Sequence, residues 1–471
     1  MSIDWQQEMS RRQDEMMERL KELCSIESVL DESTAGPGAP FGKGIAEALD
    51  YMLDLGEKES FRTKNVDGYA GHVEYGEGEE ILGILTHLDV VPTGEGWTSP
   101  PFSPEIRDGK FYARGAQDDK GPAMAAFFAL KLVKELGLPL NKRVRLIFGT
   151  DEETHWRDVD YYFQREPMPE TGFTPDADFP IIHAEKGLLD LTLTGKTAPA
   201  ADDGEGDWVL ARFEAGQRVN MVPDIAAARL EGEGDVFALK EKYQEYLLSH
   251  GIRGYAEEGD DHLKLVMEGV AHHGSEPDRG VNAAYRLTRF LDGLSLDESG
   301  GRFIAFINDL LADAFFGEKL GINQEDERVG RLTVNGGVFR YEIGQGQHVE
   351  LNIRYPISAD AEVIRRQVQG KTKAYGLLIS EEDHKPGHFV DPEHPLVQTL
   401  RRVYEEETGK TGEPFAIGGA TYARALKTGV VFGPLFPGTA ETAHQKDEFI
   451  PVDELVKAAA LYARAIYELA K

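Results

Sequence analysis

A strand–helix–strand pattern between residues 81 and 148 constrains the fold of this chain most strongly. Residues 81–86 form an unbroken apolar run, which is typical of a strand buried on both faces. Gly121 and Pro122 then begin an apolar helix pattern that continues to residue 136, and proline suits the first turn of a helix. A second apolar run covers residues 144–148. This order predicts two parallel strands joined by a helix, so we expect an α/β fold.

The pattern changes in the middle of the chain. Residues 188–194 alternate between leucine and polar residues, as a half-exposed strand does, and mixed strand and helix patterns follow. Strong α/β patterns return near Pro395, and a last helix is predicted over residues 452–469. We therefore expect residues 1–186 and 386–471 to form one domain with a mixed, mostly parallel sheet between helices. Residues 187–385 would form an inserted α+β domain.

Charge and cysteine content limit the partners and the compartment. The net charge of −32 would repel nucleic acids and anionic membrane surfaces, so we expect neither as a partner. Cys24 is the only cysteine, which excludes an internal disulfide and favours a reducing compartment. The first residues lack a signal-peptide pattern, and no apolar run is long enough for a membrane span. A cytoplasmic protein is expected.

Acidic residues and histidines stand where apolar runs of the first domain end. They are His87 and Asp89, Asp118 and Asp119, Glu152 and Glu153, Asp176 and Asp178, and His444 near the end of the chain. The carboxyl ends of strands are where open α/β sheets bind ligands. A mixed His/Asp/Glu set can hold two divalent cations, with one carboxylate between them.

Each pair also has a simpler explanation. Asp118 and Asp119 precede a helix and could cap it, Glu152 and Glu153 could form an acidic turn, and His444 could be solvated. The occurrence of all these pairs in one domain favours a metal centre. Asp89 stands two residues after His87, so its carboxylate could accept a hydrogen bond from the imidazole. Of two adjacent glutamates, one can bind a cation while the other acts as a general base.

Several of these segments resemble the co-catalytic zinc peptidase and deacylase superfamily, and in particular its bacterial PepV-type dipeptidases. The resemblance covers nearly the full chain. The matching segments are THLDVVP at 86–92, GEGWT at 94–98, YARGAQDDKGP at 112–122, DEET at 151–154, FTPDADFP at 173–180, and His444 ahead of Glu448 and Phe449.

The resemblance implies a role for each residue of the first domain. His87 and Asp176 would hold one Zn²⁺, Glu153 and His444 the other, and Asp118 both. Manganese and cobalt are alternatives to zinc. Asp89 would orient His87 and help to bind the substrate amine. Glu152 would take a proton from a bridging water and pass it to the leaving amine.

Further matches lie between residues 217 and 424. Residues 270–277 resemble the lid motif, whose histidine stabilises an oxyanion; the spacing to Pro277 and Asn282 favours His273 over His272. By the same resemblance, the substrate would contact Asn220, Arg354, Gly418, Gly419 and Thr421, with Arg354 at its carboxylate. Ala420 and Ala423 replace glycines that are frequent in PepV-type chains, and this departure concerns the substrate pocket.

The resemblance implies a metal-dependent dipeptidase that acts on dipeptides with free termini. Two alternatives remain open at this point. One is an N-acyl-amino-acid deacylase, for example a desuccinylase or deacetylase, and the other is a non-catalytic peptide-binding protein on the same fold. The large PepV-type insertion favours a monomer, although related proteins often dimerise through the lid.

Overall fold

The structure is a computed structural model in which residues 3–199, 206–232, 234–259 and 261–471 are described. The chain divides into two compact units. The first unit comprises Met1–Ala184, Phe389–Ala416 and Ala420–Lys471, and the second comprises Glu185–His388 and Ile417–Gly419. The sequence placed the boundaries after residues 186 and 385. The structure places them after Ala184 and His388, and it assigns three residues of the glycine-rich segment to the second unit.

The helices and strands follow one another along both units. The helices are α1 Trp5–Ser10, α2 Gln13–Cys24, α3 Lys43–Lys58, α4 Lys120–Glu135, α5 Arg157–Phe163, α6 Val236–His250, α7 Ala283–Leu291, α8 Glu298–Leu310, α9 Ala361–Thr372, α10 Pro395–Thr408 and α11 Val452–Ala470. The strands up to residue 195 are β1 Arg62–Val66, β2 Ala70–Tyr75, β3 Ile81–His87, β4 Glu105–Arg107, β5 Lys110–Tyr112, β6 Arg143–Gly149, β7 Thr171–Thr174, β8 Ala177–Asp178, β9 Ile182–Glu185 and β10 Gly187–Gly195. The later strands are β11 Val209–Ala215, β12 Ile225–Glu231, β13 Gly254–Glu258, β14 Leu263–Glu268, β15 Glu325–Asp326, β16 Gly330–Arg331, β17 Thr333–Glu342, β18 Gly346–Tyr355, β19 Leu378–Lys385, β20 His388–Phe389, β21 Phe415–Ile417, β22 Gly429–Val431, β23 Pro434–Leu435 and β24 Phe449–Pro451.

The first unit is built on a mixed sheet in which strands run in the order β1-β2-β6-β3-β7-β22-β9. β3 pairs in parallel with β6 and with β7, and β22 pairs in parallel with β7. The predicted strand–helix–strand unit is therefore β3, α4 and β6, and its two strands are parallel as predicted. The α/β fold class is confirmed.

Helix α4 lies in the middle of the hydrophobic core of the first unit. Residues 120–133 of this helix are all buried, which explains why its sequence is apolar on every side. Its main helical neighbour is α11, whose Leu455, Tyr462 and Ile466 are also fully buried. Because α4 is buried on every side, it holds the end of the turn that precedes it, which contains Asp118 and Asp119.

The N-terminal segment differs from its prediction. In the sequence, Leu20, Leu23 and Ile26 fall at helical spacing, which predicts one amphipathic helix from residue 3 to residue 24. In the structure, α1 ends at Ser10 and α2 begins at Gln13. Arg12 lies between them, and its Nη1 donates to the carbonyl oxygen of Glu8, 2.6 Å away. This contact satisfies a carbonyl near the end of α1.

The second unit is an antiparallel sheet with helices. The strand order is β13-β14-β12-β11-β17-β18-β10-β19, and β10 alternates buried and half-exposed residues as its sequence predicts. Helices α6, α7, α8 and α9 supply further core residues, among them Tyr243, Phe290, Phe303 and Ile364. Within the described ranges of the whole chain, no helix is both long and apolar enough to cross a membrane.

Candidate metal centre

The five predicted metal ligands come from four strand or helix ends and one loop of the first unit. His87 is the last residue of β3, Glu153 follows the end of β6, and Asp176 follows the end of β7. Asp118 stands just before α4, and the peptide bond between Asp118 and Asp119 is cis. His444 lies in the loop before β24 with a positive φ of 62°.

Three of these residues form a first group. The Nε2 atom of His87 lies 2.9 Å from Oδ1 of Asp118 and 3.6 Å from Oδ1 of Asp176. The ligand atoms of all three residues lie within 4.8 Å of one another, a spacing at which they could hold one metal ion.

A second group shares Asp118 with the first. The Nε2 atom of His444 lies 2.9 Å from Oδ2 of Asp118 and 3.1 Å from Oε1 of Glu153. The two oxygens of Asp118 therefore face different histidines. This is the arrangement expected of a carboxylate that serves two cations.

The state of His87 is an independent test of whether a cation fits. Its Nδ1 makes a hydrogen bond of 3.0 Å with the backbone oxygen of Asp89, which requires the proton to be on Nδ1. Its Nε2 is buried and makes no hydrogen bond of acceptable geometry, although Asp118 lies close. A buried imidazole nitrogen that faces two carboxylates without a hydrogen bond fits a metal ligand well.

The pKa shifts of the predicted ligands also favour a bound cation. Burial, followed by the negative charge of Asp118, raises the pKa of Glu153 to about 7 and that of Asp176 to about 6. Burial alone would lower the pKa of both histidines, but the carboxylates around them outweigh it: they raise the pKa of His444 to about 11 and that of His87 well above its usual value. So many carboxylates in one buried place attract positive charge, which a divalent cation supplies.

Glu152 lies beside the ligand groups without belonging to either of them. Burial raises the pKa of its carboxyl well above the usual range, and repulsion from Asp176 adds to this effect. Trp156 donates to the backbone oxygen of Glu152 at 2.6 Å, which fixes the turn that carries it. A carboxylate with a raised pKa in such a site is suited to accept and return a proton.

Two aspartates make contacts that differ from the predicted ones. The carboxylate of Asp89 was expected to accept from His87, but the backbone oxygen of Asp89 does so, and the carboxylate oxygen lies 3.4 Å from Nδ1. Oδ2 of Asp89 instead accepts from the backbone nitrogen of Glu153 at 3.0 Å. Asp119 precedes α4 but makes no side-chain capping bond. It is fully buried and accepts from the backbone nitrogen of His87 at 3.1 Å.

Two further residues lie near the ligands without any local sequence pattern that predicts them there. Asp158 is fully buried on α5 and accepts from the backbone nitrogens of Thr150 and Asp151, just before Glu152. Tyr422 donates its hydroxyl hydrogen to Asp158, and its ring meets the ring of His87 edge-on at 6.1 Å between centroids. Only the fold brings these residues next to the ligands.

Most predicted substrate residues lie in the second unit. Arg354, on β18, is buried; its Nε donates to Asn352 at 2.9 Å and its Nη1 donates to the backbone oxygen of Gly418. The backbone nitrogen of Gly274, next to His273, donates to the oxygen of Asn220 at 2.7 Å, and Met221 and His273 form a β-bridge. The structure thus brings Arg354 together with Gly418, and His273 together with Asn220.

The remaining residues of the glycine-rich segment are divided between the two units. Gly419 belongs to the second unit with Gly418, whereas Thr421 belongs to the first. Thr421 is buried, and its hydroxyl oxygen accepts from the backbone nitrogen of Ala423 at the start of a short 3-10 helix. Neither Ala420 nor Ala423 has a positive φ, so their methyl groups cause no backbone strain.

Comparisons with known proteins identify a family and similar sequences. The model of peptidase family M20/M25/M40 matches residues 83–468. The chain is 50% identical over 469 residues to YtjP, a provisionally named dipeptidase of Bacillus subtilis (strain 168), with 100% of each chain covered. It is 40% identical over 465 residues to SH1171 of Staphylococcus haemolyticus (strain JCSC1435), which is also provisionally named a dipeptidase, with 99% of each chain covered.

Solved structures show the same fold at low sequence identity. Dug1p, a di-peptidase of Saccharomyces cerevisiae, matches with a TM-score of 0.59 and 14% identity, over 99% of this chain and 98% of that chain. Aminopeptidase PepT of Bacillus cereus ATCC 10987 matches with a TM-score of 0.58 and 16% identity, over 98% of this chain and 99% of that chain. Because the family model covers most of the chain and its relatives align from end to end, the chain belongs to the peptidase family M20/M25/M40 and is a metallopeptidase.

Proposed function

We propose that the protein is a dipeptidase that uses two divalent cations and hydrolyses dipeptides with free termini. One observation carries the proposal: two groups of ligand atoms share Asp118, and Glu152 stands beside them with a raised pKa. The dipeptidase names of the similar Bacillus and Staphylococcus proteins support the substrate class.

Five side chains would hold the cations. The first group, His87, Asp118 and Asp176, would bind one cation, and the second group, Asp118, Glu153 and His444, would bind the other. Zn²⁺ suits imidazole and carboxylate ligands, and Mn²⁺ or Co²⁺ could replace it. When bound, the cations supply Lewis-acid polarisation of the peptide carbonyl and make water more acidic.

The chain's own residues would move the proton and stabilise the reacting group. Glu152 accepts a proton from the attacking water, whose oxygen bonds to the carbonyl carbon. It then returns that proton to the nitrogen as the C–N bond breaks, so that glutamate is regenerated. Asp89 holds His87 in place and would help to bind the substrate amine, and His273 would stabilise the negative oxygen.

Residues of the second unit would select the substrate. Arg354 presents a guanidinium, whose fork matches a terminal carboxylate. By the resemblance of their segments, Asn220, Gly418, Gly419 and Thr421 would also contact the substrate. Such a set favours a free carboxyl terminus.

A substrate panel on chelated and remetallated protein tests the proposal. We expect no turnover after chelation, and hydrolysis of dipeptides but not of N-acetyl or N-succinyl amino acids after Zn²⁺, Mn²⁺ or Co²⁺ is restored. Faster cleavage of the N-acyl amino acids would assign the protein to the deacylases. Peptide binding without hydrolysis in the presence of each cation would show a binding protein instead.

A further inference from the structure

Two loops that carry predicted metal ligands are joined by a reciprocal set of side-chain-to-backbone hydrogen bonds. One loop, residues 115–118, ends at Asp118, and the other, residues 440–449, contains His444. Glu448 of the second loop is fully buried. Its Oε1 accepts from the backbone nitrogens of Gln117 and Asp118, at 2.8 Å and 3.2 Å. Its Oε2 accepts from Gly115 nitrogen at 3.2 Å and from Arg114 at 2.6 Å.

Gln117 makes the matching contacts in the opposite direction. Its Oε1 accepts from the backbone nitrogens of Thr442 and Ala443, at 2.7 Å and 2.9 Å. Its Nε2 donates to the backbone oxygens of Ala440 and Phe449, both at 3.1 Å. A glutamine amide has two donor hydrogens and an oxygen that accepts two, so its whole capacity is used on this one loop. We call Gln117, Glu448 and the backbone that they bind the clasp.

The second ligand group depends on the clasp more than the first does. His87 is the last residue of β3, and Asp176 lies two residues after the end of β7, so the sheet holds both close to its edge. His444 lies between β23, which ends at Leu435, and β24, which begins at Phe449, so no strand or helix fixes it. Its side chain is 46% exposed, and packing around it is correspondingly weak. Hydrogen bonds from Gln117 to the residues just before His444 are therefore the main support on that side.

We propose that Gln117 and Glu448 are positioning residues, which hold His444 against Asp118 and Glu153 and thereby set the affinity for the cation of the second group. Neither side chain is a ligand in either group. The proposal rests on the two-cation function proposed above. It adds that the two groups differ in how they are held, so that damage to the clasp weakens the binding of one cation more than that of the other.

Stepwise titration of Co²⁺ into chelated full-length protein tests this difference, with visible absorption and calorimetry as readouts. In Gln117→Met the side chain keeps its length but loses all four hydrogen bonds. We expect the affinity of one step to fall about 10- to 100-fold, as for other residues that support metal ligands, and the other step to stay within about threefold. Glu448→Gln removes the charge that faces Arg114. Because Glu448 also binds the backbone nitrogen of Asp118, which both groups share, this variant should weaken both steps, and the step affected in Gln117→Met more than the other.

Gln445→Met is the matched control, because it makes the same change in the same loop outside the clasp. Gln445 is exposed, and its side-chain Nε2 donates to the backbone oxygen of Glu441 at 3.0 Å. The Co²⁺ titration of Gln445→Met should equal that of the wild type. The unaffected first step also shows that Gln117→Met is folded.

Three results would overturn the inference. Two unchanged steps in both Gln117→Met and Glu448→Gln would reject the clasp while leaving the two-cation proposal intact. Equal weakening of both steps would reject the selective support of His444. A wild-type protein that takes up no cation would reject the proposed function, and the clasp with it.

Discussion

At the residue scale, Glu152 is predicted to act in catalysis and not in cation binding, because it lies beside both ligand groups without belonging to either. Glu152→Gln keeps the shape but removes the proton acceptor. We expect kcat for dipeptides to fall by about 10²- to 10⁴-fold, the usual contribution of a general base, while cation uptake stays at two per chain. Glu153→Gln is the matched comparison, since it should lose a ligand and hence a cation. Turnover near the wild-type level in Glu152→Gln would remove Glu152 from the proton transfer.

A second residue-scale prediction concerns pH and His72, which lies away from the metal centre on β2. Burial, followed by the positive charge of Arg145, lowers its pKa to about 4. Tyr162 donates to its neutral Nδ1 at 2.7 Å, and Glu166 and Glu74 only partly offset the effect of Arg145. The unfolded chain therefore binds a proton on His72 near pH 6.5, while the folded chain does so only near pH 4.

This difference fixes the sign of the pH dependence. The neutral form contributes stability above pH 6.5, and that contribution is lost as the pH falls towards 4, by up to about 3 kcal/mol. His72→Phe removes the titrating group, so its melting temperature should fall less than that of the wild type between pH 6.5 and 4.5. Calorimetry at several pH values measures both curves, and parallel curves would contradict the assignment to His72.

The sequence was sufficient to predict which side chains stand at strand ends, but it did not predict many of the hydrogen bonds made around them. His87, Glu153 and Asp176 follow apolar runs, and the physics of parallel sheets brings such ends together. The hydrogen bond of Asp119 to the backbone of His87 depends on the path of the turn before α4, which no local pattern encodes. The same holds for Asp158, whose contacts arise from tertiary packing.

At the element scale, the turn before α4 depends on Gly121. A Cβ atom at Gly121 would lie 2.0 Å from the backbone oxygen of Ala116, so the turn would have to shift. We expect Gly121→Ala to destabilise the first unit by about 1–3 kcal/mol, as overpacking does, and to weaken cation binding because Asp118 moves. Calorimetric melting measures the first effect and cation titration the second.

Gly370 on α9 provides the control for this substitution. A Cβ atom there would have nothing within 4 Å, and alanine favours a helix interior over glycine. Gly370→Ala should therefore leave cation binding unchanged and raise stability by up to about 1 kcal/mol. If Gly121→Ala behaved in the same way, the close approach to Ala116 would not be needed for the turn.

The observed helices and strands show which sequence patterns were sufficient to predict them. The β3–α4–β6 unit and the closing helix α11 were predicted because long apolar runs leave few other ways to be buried. The single helix expected over residues 3–24 was wrong, since amphipathic spacing continues across the break at Arg11 and Arg12. Hydrophobic periodicity reports which side of a helix is buried, and it does not report where a short break falls.

At the scale of the whole molecule, the division into two units follows from a change of pattern, whereas the membership of Ile417–Gly419 does not. These residues come between two stretches of the first unit, yet they belong to the second. There the oxygen of Gly418 accepts from Arg354, and the oxygen of Ile417 accepts from the backbone nitrogen of Lys186. Such contacts between distant segments are visible only once both are folded.

Cation removal is the prediction that belongs to the whole molecule, because two kinds of charge effect must be separated. The net charge of −32 gives a general self-repulsion that any salt screens. The two ligand groups give a specific effect, since a cation that binds only the folded first unit stabilises it by about 2.7 kcal/mol at a free concentration 100 times its Kd.

Melting of the chelated protein should therefore separate the two effects. Added Zn²⁺ should raise the melting temperature of the first unit well beyond the rise caused by NaCl at the same ionic strength. Asp118→Asn damages the residue that both groups share, so it should keep the response to NaCl and lose most of the response to Zn²⁺. Equal responses of the wild type to Zn²⁺ and NaCl would show that the carboxylates around His87 and His444 act only as part of an acidic surface.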